Sequence, residues 1–134
     1  MAFYLKLYAI CTAAFLALDI TWLGFVAKGF YKNQMGHLMR EDTQWGAALA
    51  FYLIYVGAIV VLCVLPAVEK VSVVRAMVLG GVFGLAAYAA FDLTSLALLK
   101  GFPAGVVPVD LAWGVVLTGS VSVAGYYAAL WLKS

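Results

Sequence analysis

The chain has 134 residues, of which 67% are hydrophobic and only 10% are charged, and its mean hydropathy is +1.09. Soluble domains contain roughly 25% charged residues, so this chain has too little polar surface to cover a soluble globule. Its net charge of +2 is spread along the chain and not gathered into a basic stripe, so no nucleic-acid partner is expected. We therefore predict an integral membrane protein of one domain, residues 1–134, in contact with the lipid bilayer.

Four apolar segments lie at about residues 3–27, 45–66, 73–99 and 107–132. A helix of about 20 residues crosses a hydrocarbon layer of ~30 Å, and backbone facing lipid must satisfy its own hydrogen bonds. The sequence thus predicts an all-α fold of four transmembrane helices. Pro66 is predicted to end the second helix, and Pro108 suits the first turn of the fourth. Residues 28–44 are predicted to form a long polar loop.

Lysine and arginine residues do not decide the orientation, because the positive-inside rule counts them in short loops and finds equal numbers on the two sides. We expect cytoplasmic termini. The side of the termini carries Lys6, Lys70, Arg75 and Lys133, and the other side carries Lys28, Lys32, Arg40 and Lys100.

Aspartates interrupt three apolar runs, in Leu18-Asp19-Ile20-Thr21-Trp22, Phe91-Asp92-Leu93-Thr94-Ser95 and Val109-Asp110-Leu111-Ala112-Trp113. An aspartate at the centre of a membrane helix costs about 2.5–3.5 kcal/mol, so each needs a reason. All three fall in the same half of the bilayer, where we expect them to meet and to share a proton.

Each aspartate also has a structural explanation. Asp110 can complement the N-terminus of the fourth helix, and Asp92 can pair with Lys100 or Lys28 through their long stems. Asp19 has no cation within two turns of it in its own helix, which makes it the strongest functional candidate.

Polar and aromatic neighbours extend this candidate ligand and proton site. Trp22 and Trp113 each follow an aspartate by three residues, where an indole N–H could reach the carboxylate, the ring could line a pocket, or both could belong to an interfacial belt. The hydroxyl groups of Thr21, Thr94 and Ser95 either serve the site or donate to backbone carbonyls of their own helices.

Small residues recur at four-residue spacing on the third and fourth helices and favour close helix packing. Packing within one chain is the simpler interpretation, and a homodimer formed through these faces is the alternative. The residues are Gly80 and Gly84 on the third helix, and Gly114, Thr118 and Ser122 on the fourth.

The two halves of the chain resemble each other, which predicts two hairpins related as a parallel internal repeat. Three matches occur in the same order. Residues 19–23 align with 92–96, residues 28–30 with 100–102, and residues 45–46 with 113–114.

No residue pattern indicates a cofactor. Cys11 and Cys63 lack a metal-ligand spacing, and they could form a disulfide only if their helices pack side by side. His37 is expected to be solvated, with metal binding alongside the aspartates as a remote alternative.

The three aspartate motifs, in this order, resemble those of a family of small, predicted four-helix bacterial inner-membrane proteins labelled only as a domain of unknown function. The resemblance covers nearly the whole chain. It implies a multi-pass protein of the bacterial inner membrane, and it implies no reaction or substrate.

Three functional classes remain open. The first is a small carrier or ligand-binding protein, proton-coupled through its aspartates, that takes a small-molecule or lipid ligand. The second is a non-catalytic accessory subunit bound to a partner membrane protein. The third is an enzyme acting on lipid. Since the sequence contains no nucleophile elbow or HExxH signature, no catalytic residue is assigned and the balance is against an enzyme.

Overall fold

A computed structural model describes residues 2–26, 28–38 and 45–133. Within these residues the chain is helical and contains no strand. Its elements in chain order are α1 (Ala2–Thr21), a π-helical segment (Trp22–Val26), α2 (Lys28–Met35), a 3-10 turn (Gly36–Leu38), α3 (Trp45–Ile59), a second π-helical segment (Val60–Val64), α4 (Leu65–Glu69), α5 (Val73–Leu98) and α6 (Val106–Lys133).

The described residues contain four helical spans that are long and apolar enough to cross a membrane, Ala2–Phe25, Trp45–Glu69, Val73–Leu98 and Val106–Lys133. The predicted all-α, four-helix membrane fold is therefore confirmed. Pro108 lies in the first turn of α6, as expected. The internal repeat stays a prediction from the sequence, and the connections of the two halves differ. The first contains α2, whereas only residues 99–105 join α5 to α6.

The prediction that the second helix ends at Pro66 is wrong, because the helix continues to Glu69. Proline in a helix lacks an N–H, and its ring clashes with the preceding turn. Here the preceding turn is π-helical. The N–H of Leu65 donates to the carbonyl of Val60, five residues back, and this wider turn accommodates the ring.

The predicted first loop is partly helical, since it contains α2 and the 3-10 turn; its residues 39–44 lie outside the described residues. His37 in the 3-10 turn is exposed and donates a ring N–H to the carbonyl of Gly101 at 2.7 Å. Gly101 adopts a φ of +79°, which glycine allows without strain. This hydrogen bond thus joins the 3-10 turn between the first two spans to the turn after α5.

The most extensive contact between two helices joins α5 and α6, which run antiparallel. Gly80 faces Ser122, where an added Cβ would lie 2.5 Å from the hydroxyl oxygen, and Gly84 would meet the Thr118 Cβ at 2.8 Å. Gly84 also abuts the backbone of Gly114. The small-residue faces therefore pack on each other within one chain, so that interpretation is confirmed.

The other two spans pack on this pair and complete the core. α1 packs on α6, where Cys11 lies beside Gly125, and the Phe15 ring contacts Tyr52 and Tyr55 on α3. Both Cys11 and Phe15 are fully buried. α3 is attached through Tyr55, whose hydroxyl shares a 2.7 Å hydrogen bond with the buried Thr118 hydroxyl. Cys11 is a free thiol, as is Cys63 in the second π-helical segment, and both are buried.

Replacing Gly84 by alanine is expected to lower the free energy of unfolding by about 1–3 kcal/mol, because the new methyl group would overlap the α6 backbone and force the helices apart. Unfolding in detergent can be followed with a thiol-reactive fluorophore, since both cysteines become accessible only when the core opens.

Gly81→Ala is the matched control, because its Cβ would meet only the Val115 side chain at an ordinary 3.6 Å. This substitution should leave the free energy of unfolding unchanged or raise it, because alanine has a higher helix propensity than glycine. Equal destabilisation by the two substitutions would contradict the close α5–α6 contact.

Candidate functional site

The register between α5 and α6 places Asp92 beside Asp110. Gly80 faces Ser122, Gly84 faces Thr118, and the Tyr88 ring covers Gly114. Each step is four residues forward on α5 and four residues back on α6. The next step on this ladder pairs Asp92 with Asp110, and the two carboxyl groups do interact directly.

Asp92 is fully buried, and among the described residues neither of its carboxylate oxygens has a hydrogen-bond donor. The predicted pairing with Lys100 is therefore not formed, and the Lys28 side chain lies outside the described residues. An ionised carboxylate in such surroundings is costly. Asp110 is close enough to form a hydrogen bond once one of the two groups carries a proton. The geometry suits a pair of carboxyl groups that shares a proton.

Asp19 has different surroundings, although it is also buried. The Tyr52 hydroxyl donates to one of its oxygens at 3.3 Å, and the Trp113 indole N–H donates to the other at 3.4 Å. Hydrogen bonds from neutral donors stabilise the ionised form of a carboxylate without cancelling its charge. Among the described residues, the fold therefore supplies hydrogen-bond donors to Asp19 and none to Asp92.

Asp110 lies between the other two acids, since its carboxylate interacts electrostatically with both Asp19 and Asp92. The structure thus brings the three sequence-predicted aspartates into one chain of interactions from α1 through α6 to α5. They do not converge on a point. No group of three His, Cys, Asp or Glu side chains in the described part of the protein is arranged to hold a metal ion.

The two predicted tryptophans stack on each other, Trp22 from the first π-helical segment and Trp113 from α6. Their ring centroids are 4.5 Å apart and the rings are inclined by only 8°. Trp113 directs its N–H to Asp19 on another helix and not to Asp110, three residues before it on its own helix. The pair lines a shallow apolar cavity of about 460 Å³ that has no carboxylate in its lining.

The three predicted hydroxyl residues take different positions. Thr21 donates to the Ala17 carbonyl at 2.7 Å, which is the backbone alternative. Thr94 is exposed on the outer side of α5, whereas Ser95 is buried. Neither has a hydrogen bond to an aspartate among the contacts that define the cluster.

Two clefts of about 360 Å³ flank the first half of α3 and reach the acids from different sides. One lies between α3 and α1, and Asp19 and Tyr52 are in its wall together with Leu16, Ile20, Leu23, Gly24 and Trp45. The other lies between α3, α5 and α6. Its wall consists of Phe51, Ala87, Tyr88, Phe91 and Asp110.

The sequence of the chain matches the family described as predicted membrane protein, DUF2177, over residues 4–127. The chain belongs to this family. The resemblance noted from the three aspartate motifs is thereby confirmed, and the function of DUF2177 proteins is unknown. No curated protein and no solved structure matches the chain at a significant level.

Sequence reasoning missed the aromatic half of the site in this DUF2177 protein. Tyr52 donates to Asp19, and Phe51, Tyr88 and Phe91 line the second cleft. A signal was present for Tyr52 and equally for Tyr88, since a tyrosine within an apolar membrane helix needs a partner for its hydroxyl group. Phe51 and Phe91 carry no such signal, because phenylalanine rings on lipid-facing helices are ordinary.

A double-mutant cycle tests whether Asp19 is charged. Tyr52→Phe should destabilise the protein more when residue 19 is aspartate than when it is asparagine, by about 1 kcal/mol, because hydrogen bonds to charged groups are stronger than those between neutral groups. The free energies come from unfolding in mixed micelles of increasing SDS content.

The control cycle combines Tyr8→Phe with Asp19→Asn, since Tyr8 donates to the Leu53 carbonyl at 2.7 Å and not to an acid. These two effects should simply add. Additive effects in the Tyr52 cycle as well would argue against an ionised Asp19.

Proposed function

We propose that this protein is a small membrane carrier or ligand-binding protein in which buried aspartates couple proton binding to ligand binding. The observation that carries the proposal is that the acids differ in their hydrogen-bond donors. Asp19 receives two hydrogen bonds, whereas Asp92 is buried beside Asp110 and none of the described residues donates to it.

A purely structural role explains this arrangement poorly. Structural aspartates in membranes are paired with cations or with enough donors to offset their burial. Asp92 lacks both kinds of partner in the described part of the chain, so it adds a cost that the fold does not recover. A carboxyl group that takes up and releases a proton has a use for such surroundings, since its two charge states are then close in free energy.

The clefts supply the second requirement of a carrier, which is access. Each cleft ends at a different member of the cluster, one at Asp19 and the other at Asp110. Because these two acids interact, a ligand bound at one cleft would alter the charge balance at the other. Linkage of this kind lets the binding of one species drive the release of another.

Proteoliposomes with a trapped pH-sensitive dye and an imposed pH gradient test the proposal. Benzyltrimethylammonium, benzenesulfonate and sucrose are added one at a time, as a cation, an anion and a neutral solute. A proton-coupled carrier should accelerate the loss of the gradient with one of them. That acceleration should disappear in Asp92→Asn and in Asp19→Asn.

Glu69→Gln is the matched control, because Glu69 is an exposed carboxylate at the end of α4, away from the cluster. It should behave as the unaltered protein. A gradient that decays at the same rate with every solute, or acceleration that survives Asp92→Asn, would refute proton-coupled transport by this site. Recovery of a partner protein in mild detergent would then favour an accessory subunit.

We further propose that the protein resides in the bacterial inner membrane with both termini in the cytoplasm. The family resemblance supports the location, and the even number of candidate spans among the described residues supports a common side for both ends. Fusions of alkaline phosphatase, which is active only outside the cytoplasm, should be inactive after Lys133 and active when inserted between residues 101 and 105. An active fusion after Lys133 together with an inactive insertion between residues 101 and 105 would show that both termini lie outside the cytoplasm.

A further inference from the structure

We infer that the cleft between α3, α5 and α6 binds an amphipathic organic cation, with the positive charge beside Asp110 and the apolar part among Phe51, Tyr88 and Phe91. This assignment rests on the proposed function and names its ligand class. It also locates the ligand, because it selects one of the two clefts.

The lining of this cleft fixes the chemistry. Apart from Asp110, the described residues of its wall are Ala87 and three residues with aromatic rings. An ammonium group over the face of a phenylalanine or tyrosine is attracted by the ring, more strongly when water is excluded. An anion would meet Asp110 and two further carboxylates close to it. A neutral polar solute would find, besides Asp110, only the Tyr88 side chain with a polar group among these residues.

Asp92 provides the independent indication of a ligand. This side chain is fully buried, has no donor among the described residues, and lies directly behind Asp110 on the register between α5 and α6. A cation at Asp110 would place a positive charge beside the buried Asp92 carboxyl group, to which none of the described residues donates a hydrogen bond. Asp19 already receives hydrogen bonds from Tyr52 and Trp113, so the first cleft lacks this deficit.

The size and position of the cleft limit the ligand further. A volume of about 360 Å³ is at the small end of ligand sites, which suits one or two rings and not a lipid with two chains. Phe51 and Phe91 are 48% and 57% exposed on the surface that faces the bilayer. The ligand can therefore enter sideways from the hydrocarbon layer, which an amphipathic cation can reach and a strongly hydrated one cannot.

The exchange of a bound proton for the organic cation conserves the charge of the cluster. Before binding, one proton lies between the Asp92 and Asp110 carboxyl groups. When the cation takes its place beside Asp110, that proton leaves to water, so one positive charge enters for each that departs. The charge on the cluster stays constant, and the buried site never carries an additional uncompensated anion.

Equilibrium dialysis of the full chain in lipid nanodiscs tests the assignment, with empty nanodiscs as the baseline for partitioning. The probe is benzyltrimethylammonium, whose charge does not depend on pH. Its comparison is neopentylbenzene, which has the same shape with carbon in place of nitrogen. The cation should bind at least tenfold more tightly than the hydrocarbon, and binding should release a proton into weakly buffered solution.

Variants locate the site. Asp110→Asn should abolish cation binding and Asp110→Glu should restore part of it, which separates loss of charge from loss of fold. Phe91→Leu should weaken binding by about fivefold through loss of one ring. The control Phe25→Leu alters a phenylalanine that is 82% exposed and lines neither cleft, and it should have no effect.

Equal affinity for the cation and its neutral analogue would overturn the assignment, as would cation binding that persists in Asp110→Asn. Loss of binding in Asp19→Asn alone would move the ligand to the other cleft and so refute the location. The two proposals can fail separately. Gradient decay that is accelerated by benzenesulfonate or sucrose would support a carrier and refute the assignment of a cation as its ligand. Binding of the cation without accelerated gradient decay would support the cation site and refute proton-coupled transport.

Discussion

The close antiparallel contact between α5 and α6 determines where the buried acids lie. Gly80 and Gly84 let the two backbones approach, and this approach fixes a register of four residues on each helix. Asp92 and Asp110 are one step of that same register. The residues that stabilise the helix pair are therefore also those that bring two carboxyl groups together in a medium where each alone would be costly.

Helix packing also creates two environments for one residue type. Asp19 obtains its hydrogen bonds from side chains on α3 and α6, so its compensation depends on tertiary structure and not on neighbours in sequence. Asp92 faces an acid and has no donor among the described residues. The two acids thus differ in the hydrogen bonds that the fold supplies, and the proposed coupling to a proton rests on this difference.

Composition and segment length were sufficient to predict the four spans, because the hydrocarbon layer imposes a length that apolar runs reveal directly. They were insufficient at Pro66, since a π-helical turn upstream is a local adjustment without a sequence signature. Composition and segment length also did not predict which carboxylate accepts the hydrogen bond from the Trp113 indole N–H. A helix that is apolar on every side gives no periodic signal of which face meets which neighbour. The small-residue stripes were visible in the sequence, whereas their mutual register was not.

One consequence of the buried positions concerns the handedness of the bundle. An α-helix needs about 3.6 residues per turn, so a step of four residues overshoots a full turn by roughly 40°. A stripe with this repeat winds to the right around its helix, and helices that keep such stripes in contact cross with right-handed geometry at roughly −40°, as GxxxG pairs do. Buried residues in the α-helices follow this repeat at Leu7, Cys11, Phe15 and Asp19, at Ala76, Gly80 and Gly84, and at Gly114, Thr118, Ser122 and Tyr126.

On α5 and α6 the four-residue repeat continues from the glycines toward the acids, because the Tyr88 ring lies against Gly114 between them. The facing stripes therefore stay in contact as far as Asp92 and Asp110, whose carboxyl groups interact directly. Both helices share the angular offset of a four-residue repeat from the α-helical turn, and this shared offset determines which residues meet along the whole pair.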